Sequence, residues 1–341
     1  MHGGAGHKDS KRDNANEDSS LKTILARRIR ERGPISFAGF MEAALYHPEA
    51  GYYRRRGNRI GTDTDTDFYT AYAAGGVFAD LIGTATRRLL GDSPKDPVLV
   101  EIGIEPGRSL WDQPPEGFGG LRSVALGESL EIPPHAVVFS NELFDAQPFH
   151  RVRFHNGAWR EAGVGLRGDT LIETLLPETT AEVRSWRERL PESVPENTAM
   201  DLSLGAVSVL ETLVAQSWKG LFLAFDYGKR WAELCWEHPE GTLRGYSRHR
   251  QNPDILDSPG EQDLTGHICW DWMIETLAAH GFRDIRLESQ EAFFVRNAAP
   301  AIERIIRNRP GLPDSDRNRL HQLIHPAYMG QKFQVLSARR G

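Results

Sequence analysis

The chain has 341 residues, 39% of them hydrophobic and 26% charged, with a formal net charge of -6 at pH 7. That length can bury a substantial core without disulfide or metal staples, and the acidic balance argues against nucleic acid as a partner, because phosphate-binding surfaces carry a basic face. Two cysteines, Cys235 and Cys269, lie outside any C-x-x-C spacing and read as reduced thiols of a cytoplasmic protein, while no stretch approaches the ~20 apolar residues of a membrane helix.

Residues 1–20 are rich in Gly, Lys, Asp and Asn, with no apolar h-region, and read as a flexible tail. The rest, 21–341, reads as one α/β domain with an N-terminal helical region over 21–90 and an inserted lobe over 151–204. Periodicity predicts a helix over 21–32, with Leu21, Ile24, Leu25 and Ile29 on one face and Gly33-Pro34 as its stop. A second starts behind Ser36 and places Phe37, Phe40, Met41, Ala44 and Leu45 on one stripe before His47-Pro48. Residues 51–68 change to Arg, Gly, Asn, Thr and Asp, a long loop of the kind that carries binding function. A third helix is expected over 76–90.

Apolar runs at 98–102, 136–140 and 222–225 predict central parallel strands, the last preceded by a helical segment at 208–217. Each run ends in polar groups: Glu101 and Gly103, Asn141 and Glu142, Asp226 and Tyr227. In an open α/β sheet the carboxyl ends of the strands form the ligand crevice, so these positions mark a candidate site; the competing reading is that strand ends are polar because loops are. The lobe opens with a hairpin from Arg151, turning through Asn156-Gly157 and returning through Trp159, followed by a helix near 182–190. Helices over 270–279 and 302–307 and strands near 284–287 and 333–336 complete the chain, with an antiparallel end to the sheet.

Glu101-Ile102-Gly103-Ile104-Glu105-Pro106-Gly107 follows a strand, as a cofactor-binding glycine turn does, yet it is neither a dinucleotide fingerprint nor a P-loop. The carboxylate of Glu105 argues against an anionic ligand there. Pro114-Pro115 and the glycines up to Gly120 forbid a long helix after the loop. Between Gly107 and Val137 there is room for one extra strand, near 121–126. The sheet is therefore predicted to lack one strand and its helix on the cofactor side, and the strands at 98–102 and 137–140 are predicted to be neighbours. Asp63, Asp65 and Asp67 alternate with threonine but lack the glycine and glutamate of a calcium loop, so no metal site is assigned.

In order along the chain stand Ala44-Leu45-Tyr46-His47-Pro48 with Gly51-Tyr52-Tyr53, Asp67-Phe68-Tyr69-Thr70, Glu101-Ile102-Gly103 and Asn141-Glu142-Leu143-Phe144-Asp145-Ala146. Asp226-Tyr227-Gly228, Gly241-Thr242-Leu243-Arg244, Pro259-Gly260-Glu261-Gln262-Asp263-Leu264-Thr265 with His267, and His325-Pro326 follow. Together these motifs resemble the MidA-like methyltransferases, which include the mitochondrial complex I assembly factors that methylate arginine on a partner protein. The resemblance implies a class I methyltransferase fold with S-adenosylmethionine bound by Glu101, Gly103, Gly107, Asp67 and Thr70. It also implies a reaction cleft with Asn141, Glu142, Asp145 and His267, toward which Asp226, Gln262, Asp263 and Thr265 would also face. The implied methyl acceptor is a protein arginine, its guanidinium held by the carboxylates of Glu142 and Asp145. Neither nucleic acid nor membrane is an expected partner, and a homodimer is allowed.

The chain departs from the family pattern at the cofactor. Glu105 replaces a middle glycine, no helix follows the loop, no acidic residue ends a clear second strand, with Asp112 and Glu128 as candidate substitutes, and Cys269 replaces an aspartate. These departures predict weak or absent binding of S-adenosylmethionine. They open a second reading, in which a catalytically inactive methyltransferase-like protein acts as a protein-binding or assembly factor.

Overall fold

The structure, a computed structural model, describes residues 20–54, 71–91, 96–247, 250–307 and 315–341. The tail at 1–19 and most of the loop at 51–68, including Asp67, lie outside the described residues, as does Thr70. The chain divides into two compact units, one formed by residues 1–57, 146–204 and 234–266 and the other by 58–145, 205–233 and 267–341.

The second unit is built on a six-stranded sheet: β1 (Val98–Ile104), β2 (Gly120–Ala125), β3 (His135–Asn141), β4 (Lys219–Asp226), β5 (Arg283–Ser289) and β6 (Gln334–Arg340). The spatial order is β5-β6-β4-β3-β1-β2. Strands β2, β1, β3 and β4 run parallel, and β6 is antiparallel to both neighbours. Among the described residues the sheet has one strand fewer on the side of β2 than the class I arrangement that the resemblance implies, as the short interval after Gly107 predicts. Strands β1 and β3 are direct neighbours, with Ile102 opposite Ser140.

One face of the sheet is covered by α1 (Gly76–Leu90), whose residues Val77, Phe78, Leu81, Ile82 and Ala85 are buried at helical spacing. Phe78 meets Phe139 of β3, Phe225 of β4 and Phe294 edge-on, at ring separations of 6.2, 5.5 and 6.1 Å. The helix stops at Gly91, whose φ of +63° suits glycine, and its N–H returns to the Arg87 carbonyl. No helix forms between Gly107 and Gly120. Instead Trp111 and Phe118, each only 9% exposed, join the same core, and Trp111 stands edge-on to Phe139 at 5.7 Å. Two aromatic anchors thus replace a helix as cover for this edge. The helix expected at 208–217 is Leu204–Val214; past it, the buried Trp218 donates its indole N–H to the Leu213 carbonyl and turns the chain into β4.

In the first unit, helices Leu21–Arg32 and Phe37–Tyr46 are capped by Ser20 and Ser36, whose hydroxyls accept from the Thr23 and Gly39 amides. Its five-stranded sheet contains the expected hairpin, His150–His155 and Ala158–Arg167, with Asn156 and Gly157 at φ of +53° and +74° in the turn. The helix expected near 182–190 is Ala181–Trp186, continued by a single tight turn, Arg187–Arg189. Buried Arg151 donates to Asp201 at 2.7 Å and to Glu173 at 3.1 Å. Asp201 also accepts the Thr242 and Leu243 amides at 2.6 and 2.8 Å, and a Cβ at Gly241 would lie 2.3 Å from its Oδ2. The Gly241-Thr242-Leu243 motif therefore serves packing around a buried charge.

Candidate functional site

The carboxyl ends of β1, β3 and β4 lie side by side, and each turns into a segment carrying candidate residues. In the middle of β1, Glu101 is fully buried. Its carboxylate accepts from the Tyr72 hydroxyl at 2.7 Å, the Ser109 hydroxyl at 2.5 Å and the Leu110 amide at 3.1 Å, with Ser123 at 3.5 Å. A buried charge is tolerable only when its lone pairs are filled, and these donors fill them. Three come from the loop and strand that follow Glu101, so the carboxylate fastens the glycine loop from below. Burial, then the charge of Glu101, raises the Tyr72 phenol well above its ordinary range, so it stays a donor; Glu142 adds to the same effect.

Gly103, near the end of β1, and Gly107, in the loop after it, have φ of +79° and +77° and both are exposed. A Cβ on Gly103 would lie 2.8 Å from Leu143 Cδ1, so glycine is required there for approach as well as for conformation, while Gly107 borders open space. Glu105 does not leave a bare negative charge in the loop, because Arg108 lies 3.4 Å from its carboxylate. Asp112 is exposed. Glu128 stands just beyond β2, and its carboxylate accepts the Ala125 amide at 2.8 Å, which fixes it at the end of the second strand. Three of the departures thus have a local context: Glu105 is paired with Arg108, the loop is tied to Glu101 where a helix was expected to follow, and Glu128 places an acid at the end of β2.

After β3, Asn141 is buried and donates its amide to Glu142 at 2.8 Å, while its Oδ1 is buried with no hydrogen-bond partner among the described residues. Glu142 is half-buried and adopts φ of +52°, unusual for a residue with a side chain. Asp145 is 3% exposed. His267 is half-buried and directly precedes Ile268, whose amide donates to the Tyr227 carbonyl just past β4. The turn that carries Asn141 and Glu142 therefore borders the glycine loop, with the Leu143 side chain against Gly103, while His267 lies next to the segment bonded past β4.

Other residues do not stand as the resemblance implied. Asp226 faces no cleft: it is fully buried, and its carboxylate accepts backbone amides, Phe144 at 2.8 Å and Tyr227 at 2.9 Å. Burial pushes its pKa up to about 7, against the opposing effect of those amides and of Leu143 and Asp145. Gln262 and Asp263 belong to the first unit and are spent inside it, Gln262 on Asn252, Asp254 and Asp257, and Asp263 on the Tyr53 hydroxyl at 2.9 Å. Cys269 is fully buried and burial pushes its thiol up to about 12, so it is no nucleophile at neutral pH. Among the described residues no group of three or more His, Cys, Asp or Glu is placed to hold a metal ion, and no helix is long and apolar enough to cross a membrane. Sequence reasoning missed Tyr72, Ser123 and the inward role of Asp226; only the position of Tyr72, just after the Asp67-to-Ala71 motif, offered a signal.

Residues 124–286 match the model of a family described as "Putative S-adenosyl-L-methionine-dependent methyltransferase". A protein arginine methyltransferase NDUFAF7 homolog, mitochondrial, from Drosophila melanogaster is 22% identical over 93% of this chain and 84% of its own length. The mitochondrial NDUFAF7 of Xenopus laevis is 23% identical over 97% and 86%. A crystal structure from Burkholderia thailandensis, bound to S-adenosyl-homocysteine, superposes with a TM-score of 0.83 at 24% identity, covering 100% of this chain and 95% of that one. Over most of its length the chain is similar to the MidA-like methyltransferases. The class I methyltransferase fold shared with that crystal structure is carried here, among the described residues, on a sheet of six strands. The expected cytoplasmic location does not stand, since these relatives are named as mitochondrial. Cys235 and Cys269 are both free and buried, so their spacing carries no information on the compartment.

Proposed function

We propose that this MidA-like protein binds S-adenosylmethionine at the carboxyl edge of β1 and β2 and transfers its methyl group to an arginine of a protein substrate. The observation that carries the reading is the pairing of β1 with β3, Ile102 opposite Ser140, which brings Gly103 next to the turn that bears Asn141 and Glu142. The residues fit the cofactor: Gly103 and Gly107 are exposed, Asn141 Oδ1 is a buried acceptor without a partner among the described residues, and exposed Glu128 at the end of β2 would supply a carboxylate for ribose hydroxyl groups. When bound, the cofactor supplies an electrophilic methyl on a sulfonium. Glu142 and Asp145 would hold the guanidinium in one orientation and offer an acceptor for the proton that its nitrogen gives up, so no strong base is needed. Tyr72, held by Glu101, would line the same edge. The protein acceptor is favoured by the relatives, which are named protein arginine methyltransferases.

The test is isothermal titration of the purified chain with S-adenosylmethionine and S-adenosyl-homocysteine, then methyl transfer to arginine-containing peptides with Glu142→Gln as the comparison. Saturable binding at micromolar concentration and transfer that falls about a hundredfold or more in Glu142→Gln are the expected results. A protein that takes up neither ligand would sink the reading and leave the partner-binding alternative.

A further inference from the structure

The most constrained backbone at the candidate site is the turn leaving β3. Glu142 sits at φ of +52°, a region that costs a residue with a Cβ, and such a conformation persists only where its surroundings impose it. Two sets of bonds do so. The Glu142 amide donates to the Phe225 carbonyl at 2.9 Å, which ties the turn to β4. The amides that follow, Leu143, Phe144 and Asp145, converge on the carboxylate of Asp226, with Phe144 at 2.8 Å. Successive amides curling round one point form a nest, a concavity that ordinarily takes an anion from solution or a ligand. Here the nest is filled by the protein's own side chain, with no exposed surface left on it.

We propose that Asp226 is a positioning residue: by occupying the nest of residues 143–145 it holds Glu142 in its left-handed conformation and so sets the direction in which the Glu142 and Asp145 carboxylates are presented to a methyl acceptor. The proposal rests on the methyl-transfer reading for its functional half and on the geometry alone for its structural half. The bonds of Asp226 go to residues 143–145 and 227, whereas Gly103 to Leu110 is fastened separately, through Ser109 and Leu110 to Glu101, and the two sides meet at the Leu143 side chain against Gly103. The two halves of the site are therefore held by two different buried carboxylates. Loss of Asp226 should disturb the acceptor side and spare the cofactor side.

Asp226→Asn keeps the shape but exchanges one acceptor oxygen for a donor, which cannot satisfy amides on both sides. In hydrogen exchange, amides 143–145 should exchange at least about tenfold faster than in the parent, with those of Ser109 and Leu110 unchanged. The affinity for S-adenosyl-homocysteine should stay within about threefold, the cofactor KM likewise, and kcat for an arginine-containing peptide should fall about tenfold to a hundredfold. Unchanged exchange at 143–145, or equal losses of cofactor affinity and of kcat, would overturn the proposal, the second because it marks a general loss of structure. Should Asp226→Asn not fold, the parent protein decides: amides 143–145 that exchange at unprotected rates, although buried against Asp226, overturn the clamp, and protected ones support it. A parent that neither binds S-adenosyl-homocysteine nor transfers methyl refutes the methyltransferase reading, while the exchange arm still decides the clamp.

Discussion

Glu101 and Gly103 show how much of the cofactor edge depends on single atoms. Replacing Glu101 by Gln changes no volume but turns one acceptor oxygen into a donor facing Tyr72, Ser109 and Leu110, all of which donate. At least one buried donor is then left unmatched, a cost of about 1–3 kcal/mol. Urea unfolding of Glu101→Gln should show that loss as a lower midpoint with an unchanged slope, together with weaker S-adenosyl-homocysteine binding because the loop is no longer fastened. Gly103→Ala tests a different mechanism. The new methyl group meets both a φ of +79° and Leu143 Cδ1 at 2.8 Å. We expect destabilisation of about 1–3 kcal/mol, of which trimming Leu143 to Ala recovers only the steric part, so a double-mutant cycle should leave a residual penalty for the backbone. Full recovery in the double variant would show that conformation costs nothing at this position.

The β1–β2 edge owes its cover to two aromatic side chains, Trp111 and Phe118, set in a segment that prolines and glycines keep from becoming helical. Truncating a well-buried aromatic residue typically costs 3–5 kcal/mol, and each of these retains 9% exposure, so Trp111→Ala and Phe118→Ala should lose about 2–4 kcal/mol. Thermal unfolding with and without S-adenosyl-homocysteine checks this, and a change under 0.5 kcal/mol would mean that the edge has no need of a cover. The absence of a helix here was legible in Pro114-Pro115, and the missing strand in the short interval to Val137, because both follow from local chain geometry. The helix stripe at Val77, Phe78 and Leu81 and the apolar runs of β1, β3 and β4 were legible for the same reason: period and composition carry them. What sequence could not supply was partnership. Asp226 looked like a cleft residue since it ends a strand beside polar neighbours, yet its carboxylate turns to the amides of a segment some 80 positions earlier in the chain. Glu105 looked like a bare charge because nothing in the one-dimensional pattern says that Arg108 curls back to it.

Across the whole molecule, the net charge of -6 means that each further ionised carboxylate adds to an existing excess of negative charge, and Asp226 is the one whose ionisation burial opposes most visibly. Its pKa stands at about 7 in the folded chain against 3.8 for an ordinary aspartate. The folded state therefore holds a proton that the unfolded state releases between those values. Unfolding stability from this group is fully present below about pH 4 and is lost as pH rises through about 7, with a total on the order of a few kcal/mol at ~1.4 kcal/mol per pH unit. The direction is opposite to that of salt-bridged carboxylates, whose contribution grows with pH, so the parent profile alone mixes the two. The difference between the parent and Asp226→Asn isolates the group, since the amide does not titrate. Measured by denaturant unfolding from pH 5 to pH 8, Asp226→Asn should be the less stable protein at the acid end, where the protonated aspartate is buried without the cost of a charge. Its deficit should shrink steadily toward pH 8, where the parent must bury an ionised carboxylate. A difference that stays constant across that range would show that Asp226 keeps one protonation state throughout, and that the amides of residues 143–145 outweigh its burial.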